Sequence, residues 1–370
     1  MNRALFAVFA LAAAAAFAAP FDLRTGAALH AFDHLHGYAE QAETAAACDA
    51  TIIYATGLGM DGYTGIPAAE TWEAHRAQCR AYNDKTHAAG IHAILGYLCA
   101  TSIVGLDSFD AHWNDALRAE FGSAPADWLQ QDAEGRPLPS WYGGDYRPAC
   151  MNHPGWRAYQ RFMVRSQIET GHDGIFFDNP TVHNKGCHCP HCMEKFAAYL
   201  KGKGRPAEDE SLAGLRRAAL AQKEDFLRFR CTTARDFLFE MRVEAQRIHP
   251  DALVTANNSL NQHDALFAQC HLFAYNISEM SQTEDFVVIE DMGTQPRRLA
   301  DGTTLEGGPT YAQLHAVAHG KPVVACTIAE TDYHTPPALV RLAMTEAAAH
   351  NTGYLLWPTW PGDQRARMAA

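Results

Sequence analysis

Short apolar runs alternate with longer amphipathic segments along most of this chain. The runs are rich in Val, Ile, Leu, Phe and Tyr, and most are apolar throughout rather than polar at every second position. Such runs are typical of parallel strands that helices cover on both faces. Eight of them are predicted as strands, at residues 49–56, 91–98, 146–151, 174–178, 252–258, 285–291, 321–328 and 352–358.

Amphipathic segments between these runs predict helices, for example at residues 71–89, 154–170 and 208–248. Strands that alternate with helices predict an α/β fold, a (β/α)8 TIM barrel of parallel strands. A doubly wound open sheet is the alternative, but no G-x-G-x-x-G motif follows the first strand. Because few residues follow the last strand, a helical stretch at 27–48 is expected to complete the ring, and a chain that is cut short is the alternative.

The N-terminus has the pattern of an export signal. Arg3 precedes an apolar run that starts at Leu5, and Ala16 and Ala18 flank Phe17 as the small residues of a cleavage site. We therefore expect a signal peptide over residues 1–18 and a secreted or periplasmic barrel domain over 19–370. The run is too short and too Ala-rich for a membrane span, and an Ala-rich helical extension is the alternative.

The composition of the chain limits the classes of molecule that it is expected to bind. The chain has 370 residues, 48% of them hydrophobic, and a net charge of −12. A chain this acidic lacks the basic field that holds nucleic acid or an anionic membrane surface. We expect neither as a partner, and we expect no organic cofactor.

Two carboxylates directly end apolar runs, Asp178 after "GIFF" and Glu290 after "FVVI". Strand ends form the catalytic face of a TIM barrel, and two facing carboxylates can divide the work of breaking a glycosidic bond. Asp291 and Glu330 are alternative acid/base candidates. Other polar or aromatic residues near strand ends or in loops are candidates to bind sugar rings and hydroxyls: Tyr54, Tyr97, Trp141, Asn152, Asn179, Asn257, Asn258 and Trp357.

Each acid also has a purely structural interpretation. Asp178 precedes Asn-Pro and suits a turn. Glu290 could form an ion pair with Arg297 or Arg298.

A cysteine cluster follows the fourth predicted strand in "KGCHCPHC". Cys187, Cys189 and Cys192 form a C-x-C-x-x-C run, which is typical of a structural metal site. A histidine, His183, His188 or His191, could replace one thiolate. Disulfides that leave the cluster and free thiols are the alternatives, the first because export permits disulfides.

The segment "GHDGIFFDNP" resembles the fourth strand of (β/α)8 glycoside hydrolases of the α-galactosidase, α-fucosidase and amylase-like groups. It also resembles glycosyl-hydrolase-like barrels in which a C-x-C-x-x-C cluster follows that strand, and more distantly family 42 β-galactosidases. The resemblance implies Asp178 as nucleophile and Glu290, at the sixth strand, as acid/base. Family 42 also implies that an upstream cysteine, here Cys150 of "RPACMNHP", joins the other three around zinc.

The chain departs from family 42 at one position. The Asn-Glu pair that ends the fourth strand in that family is replaced by Asp178-Asn179, which argues against a β-galactosidase. The sequence therefore predicts a glycosidase that acts on a poly- or oligosaccharide by a retaining mechanism with two carboxylates. A non-catalytic carbohydrate-binding barrel and a metal-dependent hydrolase are the alternatives. The latter would use His30, His34 and His36, which we expect in a helical stretch.

Overall fold

The computed structural model describes residues 29–33, 41–47, 49–140, 143–258, 265–290, 297–326 and 337–356. Eight parallel strands form one sheet in the spatial order β7-β6-β3-β2-β1-β12-β11-β8. These are β1 (Leu29–Asp33), β2 (Ala50–Ala55), β3 (Ala93–Cys99), β6 (Gly174–Asp178), β7 (Leu253–Ala256), β8 (Val287–Glu290), β11 (Val323–Cys326) and β12 (Gly353–Leu356). Within these ranges, four short strands lie outside the sheet: β4 (Ser102–Val104), β5 (Tyr146–Pro148), β9 (Arg297–Arg298) and β10 (Thr304–Leu305).

Helices lie between the strands in the described part of the chain. They are α1 (Gln41–Ala47), α2 (Ala69–Ala88), α3 (Leu106–Asp110), α4 (Asp115–Phe121), α5 (Pro154–Ile168), α6 (Pro190–Gly202), α7 (Leu212–Ala221), α8 (Lys223–Ile248), α9 (Ala265–Phe273), α10 (Ile277–Met280), α11 (Gly308–Val317) and α12 (Pro337–Ala349), with a 3-10 turn at Pro125–Trp128. Within the described residues, no helix is both long and apolar enough to cross a bilayer.

The two outermost strands of the sheet meet and nearly close it. Asn257 forms a parallel bridge with Val288, and the Asn258 N–H donates to the Val288 carbonyl over 2.9 Å. Lower on the same seam, the Asp285 N–H donates to the Val254 carbonyl over 2.8 Å. The predicted (β/α)8 barrel of parallel strands is confirmed.

One of the eight predicted strands is wrong. Residues 146–148 form β5, which pairs antiparallel with β4 in a small separate sheet. Pro148 has no N–H to donate, which suits an edge strand and not a central barrel strand. The missing barrel strand is β1, inside the stretch that was expected to be helical. Its sequence, "LHAFD", lacks the apolar pattern of the other strands because His30 is polar. His30 nevertheless faces the barrel interior, where it lies 2.7 Å from the Tyr54 hydroxyl.

Side chains alternate between two cores along the strands, as the pleat requires. The barrel interior holds a small apolar cluster, and the larger cluster lies between the barrel and its helices. On β8, for example, Val288 is interior and Ile289 is exterior, and on β6 Phe176 is interior and Phe177 is exterior. This alternation determines which strand-end side chains point into the mouth of the barrel.

We expect Gly174→Ala to destabilise the protein by about 1–3 kcal/mol, the range for overpacking a core. A Cβ there would collide with the Leu253 backbone carbonyl and lie 2.8 Å from Leu95 Cδ2. Gly202→Ala is the matched control, since nothing lies within 4 Å of its Cβ position. Urea unfolding should show that only the first variant loses stability. Equal stability of the two variants would contradict this packing of β6 against β7.

Candidate active site at the carboxyl ends of the strands

Three polar side chains lie above the interior core in the inward register. Asp178 follows interior Phe176 by two positions, and Glu290 follows interior Val288 by two. Asn257 comes directly after Ala256, whose side chain belongs to the exterior cluster. Alternation therefore points all three into the mouth of the barrel, at the face where TIM-barrel enzymes carry their chemistry.

The amide of Asn257 joins the two acids. Its Nδ2 donates to Asp178 Oδ1 over 3.0 Å and to Glu290 Oε2 over 2.6 Å. The two accepting oxygens can therefore be no further apart than the sum of these distances, 5.6 Å. Carboxyl groups this close can act on the same bond of a bound substrate.

Two further donors reach Asp178 on its other oxygen. The Tyr97 hydroxyl donates to Oδ2 over 2.6 Å, and Asn179 Nδ2 donates to the same atom over 2.8 Å. Asn179 is out of the inward register, but its backbone is left-handed (φ 51°), a conformation that Asn tolerates better than most residues. Burial raises the pKa of Asp178, and the bonds from Tyr97 and Asn257 partly offset that rise.

Two predicted substrate-binding residues lie away from the acids. Tyr54 is fully buried inside the barrel, where its ring packs edge-on against Phe176 at 4.9 Å. Asn258 is also fully buried, and its Nδ2 donates to Glu284 Oε1 over 3.0 Å. The pKa of Glu284 is raised by burial to about 8. Neither Tyr54 nor Asn258 is positioned to contact a ligand in the mouth.

Asn152 lies at the cysteine cluster and not at the acids. Its Nδ2 donates to Cys192 Sγ over 3.4 Å, and its Oδ1 accepts from Lys195 Nζ over 3.0 Å. Other predicted site residues, Trp141, Trp357, Asp291 and Glu330, lie outside the described residues, as do His34, His36 and the side chains of Arg297 and Arg298.

The loop after β2 places Tyr63 beside Tyr97, although Tyr63 does not end a strand. The Tyr63 ring lies 6.3 Å from that of Tyr97 at a right angle. Burial raises the Tyr63 pKa most, Asp61 comes next, and the Asp178 carboxylate makes a smaller contribution than these. Burial raises the pKa of Asp61 to about 7, although the Gly57 N–H donates to it. The sequence signal was the Gly-rich loop "TGLGMDGYTG", since loops that follow barrel strands also carry function.

The four predicted cysteines converge. Cys150, Cys187, Cys189 and Cys192 are buried, and their sulfur atoms all lie within 4.8 Å of one another. Cys150 Sγ lies 3.6 Å from Cys189 Sγ and 3.4 Å from Cys192 Sγ. These separations are too long for a disulfide bond of about 2.05 Å. They are close to the roughly 3.8 Å between sulfurs that are each about 2.3 Å from a tetrahedral zinc.

N–H donors surround these sulfurs, as they do around metal thiolates. The Asn152 N–H lies 3.4 Å from Cys150 Sγ, and the Cys192 N–H lies 3.5 Å from Cys189 Sγ. Hydrogen bonds from the neighbouring thiols hold the pKa of Cys189 below its usual value, which favours a thiolate. The cluster can hold a metal ion, and it is the one such group of His, Cys, Asp and Glu among the described residues.

The candidate histidine ligands point elsewhere. The His188 ring stacks on Phe226 at 4.7 Å, and the His191 ring contacts His153. His183 lies at the side of a groove beyond the cluster. Cysteines alone therefore form the set of donors.

The cluster brings the loop that begins at Asp178 together with the segment before α5. Cys150 precedes α5, whereas the other three cysteines lie in or just after the β6–α6 loop. Between the cluster and Asp178, the Thr101 hydroxyl donates to the Asn179 carbonyl over 2.5 Å, and Gln130 Nε2 donates to the Thr181 carbonyl over 3.0 Å. The backbone next to the acid is thus held from several sides.

Comparisons with solved structures find glycoside hydrolase barrels. The PgaB (BpsB) glycoside hydrolase domain from Bordetella bronchiseptica is 15% identical with a TM-score of 0.58, covering 92% of this chain and 95% of that one. The catalytic domain of a β-amylase from Paenibacillus polymyxa is 11% identical with a TM-score of 0.58, covering 92% and 94%. A β-galactosidase from Halorubrum lacusprofundi is 14% identical with a TM-score of 0.60, covering 93% of this chain but 57% of its own.

At these identities the likeness shows the fold: the chain is similar to glycoside hydrolase barrels in its architecture. No protein-family model and no curated protein matches it.

Replacing Tyr97 by Phe should raise the pKa of Asp178 further, because the carboxylate loses a hydroxyl donor while its burial persists. Carboxyl-carbon NMR titration measures this directly. Tyr63→Phe is the control, since the hydrogen bonds described for Asp178 come from Tyr97, Asn179 and Asn257 and not from Tyr63, so its pKa should stay nearly unchanged. An unchanged or lower Asp178 pKa in Tyr97→Phe would contradict the assigned bond.

Proposed function

We propose that this protein is an exported glycoside hydrolase that cleaves a poly- or oligosaccharide by a retaining, two-carboxylate mechanism. The observation that carries the proposal is the Asn257 amide, which donates to Asp178 and Glu290 at once. Retaining enzymes hold their two carboxyl groups about 5–5.5 Å apart, and inverting enzymes about 6.5–9.5 Å. The bound of 5.6 Å between the two accepting oxygens supports the retaining class.

Asp178 serves as the nucleophile in this proposal. Its carboxylate attacks the anomeric carbon, the bond to the leaving oxygen breaks, and the electron pair of that bond stays on the oxygen. The donors Tyr97, Asn179 and Asn257 stabilise the ionised form that the attack requires. Because burial raises the Asp178 pKa, the rate should fall as the pH drops through that raised value and the carboxylate becomes protonated.

Glu290 serves as the acid and then the base. Its proton passes to the leaving oxygen in the first step, and in the second step it removes a proton from the water that releases the sugar from Asp178. Asn257 lies between the two acids, and its Oδ1, which has no partner among the described residues, is the candidate to accept a bond from a sugar hydroxyl. Tyr97, Tyr63 and Asn179 are the described candidates for further sugar contacts, and Trp141 and Trp357 stay candidates from the sequence.

The export proposal rests on the leader pattern of residues 1–18, with the barrel domain over 19–370. The barrel fold that the chain shares with glycoside hydrolases supports carbohydrate as the substrate.

Zinc at the four cysteines is the proposed metal. Four thiolates at these separations suit a closed tetrahedral site, which leaves no open position for water. The ion would fasten the β6–α6 loop to the segment at Cys150 and take no part in the bond cleavage.

Replacement of each acid should separate their roles. Glu290→Gln should lower kcat/KM by about 10²–10⁴-fold for glycosides with a poor leaving group, and by much less for nitrophenyl glycosides, which need no proton. Asp178→Asn should abolish turnover of both. Assays on a nitrophenyl glycoside panel and on oligosaccharides measure this. Asp173→Asn, at the other end of β6, is the control and should keep wild-type rates.

If Asp178→Asn and wild type behave alike on all substrates, while the protein still binds sugar, the non-catalytic barrel is the correct interpretation.

Metal analysis should find about one zinc per chain, held by the four cysteines. Cys192→Ser should lose the zinc and lower the melting temperature, because metal binding and loop order are coupled. Cys270→Ser, outside the cluster, is the control and should keep the zinc. A full thiol count with no metal, in protein made in zinc-containing medium, would contradict the site.

A further inference from the structure

A groove lies against the far part of the loop that begins at Asp178. Its volume is about 1250 Å³. Its walls are the segment at residues 132–139, the loop at 183–188 and the first turns of α8. Pockets for drug-sized ligands have volumes of about 300–1000 Å³, so this groove suits a longer, extended ligand.

The groove carries an excess of positive charge in an acidic protein. Five Lys and Arg residues line it, against three Asp and Glu residues, although the whole chain has a net charge of −12. The three acids are already paired: Asp132 and Glu134 with Arg136, and Glu224 with Arg228. The remaining cations are Lys185, Lys223 and Arg230. A ligand therefore meets positive charge that the protein's own acids do not neutralise.

Arg230 is the most distinctive of these cations. Its side chain is 5% exposed, and it donates to the backbone carbonyls of Val182 over 2.6 Å and of His271 over 3.3 Å. Its Nε has no partner among the described residues, and no described carboxylate pairs with it. Burial lowers its pKa to about 10, a value at which it is still charged at neutral pH. A buried guanidinium without a counter-charge is costly and favours binding of an anion.

His188 is a second buried side chain in this groove that has a ring nitrogen without a hydrogen-bond partner among the described residues. It is 3% exposed, and its Nδ1 has no partner among the described residues. Its ring stacks on Phe226, which also lines the groove. The Phe226 ring, Leu220 and Leu227 give the groove an apolar and aromatic surface beside its cations. This combination suits sugar rings that bear anionic groups.

The cysteine cluster does not account for Arg230. The small cavity next to the cluster is lined by Arg230 as well as by the cysteines. However, Lys195 Nζ donates to the side chain of Asn152, which itself donates to Cys192 Sγ, so one cation that no described carboxylate pairs with already lies at the cluster. Arg157, which reaches the same Asn152 oxygen, is paired with Glu240. The cluster thus has a counter-charge of its own in Lys195.

We propose that this groove binds acidic sugar residues, which bear carboxylate or sulfate groups. These residues belong to a saccharide chain, and the next sugar of that chain, neutral or acidic, occupies the Asp178–Glu290 site. The assignment rests on the proposed glycosidase function for the sugar part of the ligand. The β6–α6 loop connects the two sites, since the groove begins at His183, five residues after Asp178.

The test is isothermal titration of the full chain with tetrasaccharides. The panel contains galacturonate, mannuronate and guluronate tetramers, their carboxyl-reduced neutral counterparts, and sulfate esters of those neutral tetramers. At least one acidic tetramer should bind about tenfold or more tightly than its neutral counterpart, and its affinity should fall with added salt. The carboxylate and sulfate arms identify which anionic group is bound. If no acidic tetramer is preferred by at least threefold, the proposal is wrong.

Variants locate the binding. The double variant Lys185→Gln with Lys223→Gln should weaken the acidic tetramer about tenfold and leave the neutral one unchanged, since both lysines are exposed and their loss should not disturb folding. Lys201→Gln, an exposed lysine outside the groove, is the control. Arg230→Lys should weaken binding while the zinc content stays the same. A loss of zinc with unchanged binding would instead make Arg230 a counter-charge of the cluster.

Binding is also measured in Asp178→Asn, which separates this proposal from the proposed function. Preference for acidic tetramers without turnover by wild type would support the groove and contradict the glycosidase. Turnover of neutral glycosides without that preference would do the reverse.

Discussion

Two carboxyl groups in one barrel mouth repel each other when both are ionised. A single side-chain amide between them offsets this repulsion by donating hydrogen bonds to both. Asn257 donates to Asp178 and to Glu290 from the same nitrogen. It can do so because β7 and β8 meet at the seam of the barrel, where Asn257 bridges to Val288. The seam that closes the sheet is thus also the place where the acids are brought together, and any slip of one residue between these strands would turn one of them outward.

Asp178 and Glu290 have different surroundings, and this difference suits the different roles that we propose for them. Asp178 receives donors on both oxygens, from Tyr97, Asn179 and Asn257, although it is buried. Its loop is then held by Thr101, Gln130 and, further along, the four cysteines. The proposed nucleophile must keep its position while the substrate changes shape, and a loop held at several points positions it better than packing alone. Arg230 bonds the same loop at Val182, which connects the groove to this arrangement.

Much of this could be predicted from the sequence because strand-end position and side-chain alternation are local properties. The apolar runs located seven of the eight barrel strands, and the residues that end them included Asp178, Asn257 and Glu290. The errors have local causes as well. The polar His30 of β1 faces the interior and bonds Tyr54, so this strand lacks the apolar pattern of the others. Pro148 in β5 suits an edge strand, which apolar pattern alone does not distinguish from a barrel strand.

What the sequence could not provide was direction and distance. Asn257 and Asn258 are the same residue type at adjacent positions. The pleat of the strand nevertheless points Asn257 at the acids and buries Asn258 against Glu284. Asn152 ends a predicted strand, yet it bonds a cysteine. The spacing of Cys187, Cys189 and Cys192 indicated a cluster, but only folding brings Cys150 to it across 37 residues of chain. Arg230 had no sequence signal, since its significance is that it is buried without a carboxylate partner.

The central claim is that Asp178 and Glu290 act as one pair on one glycosidic bond, and the configuration of the first product tests it most directly. Proton NMR that follows hydrolysis of the best substrate from its first minutes shows the anomer before mutarotation. The geometry predicts that the first product keeps the anomeric configuration of the substrate. A product of inverted configuration would show that water and not Asp178 attacks the sugar, and it would contradict this assignment of the pair.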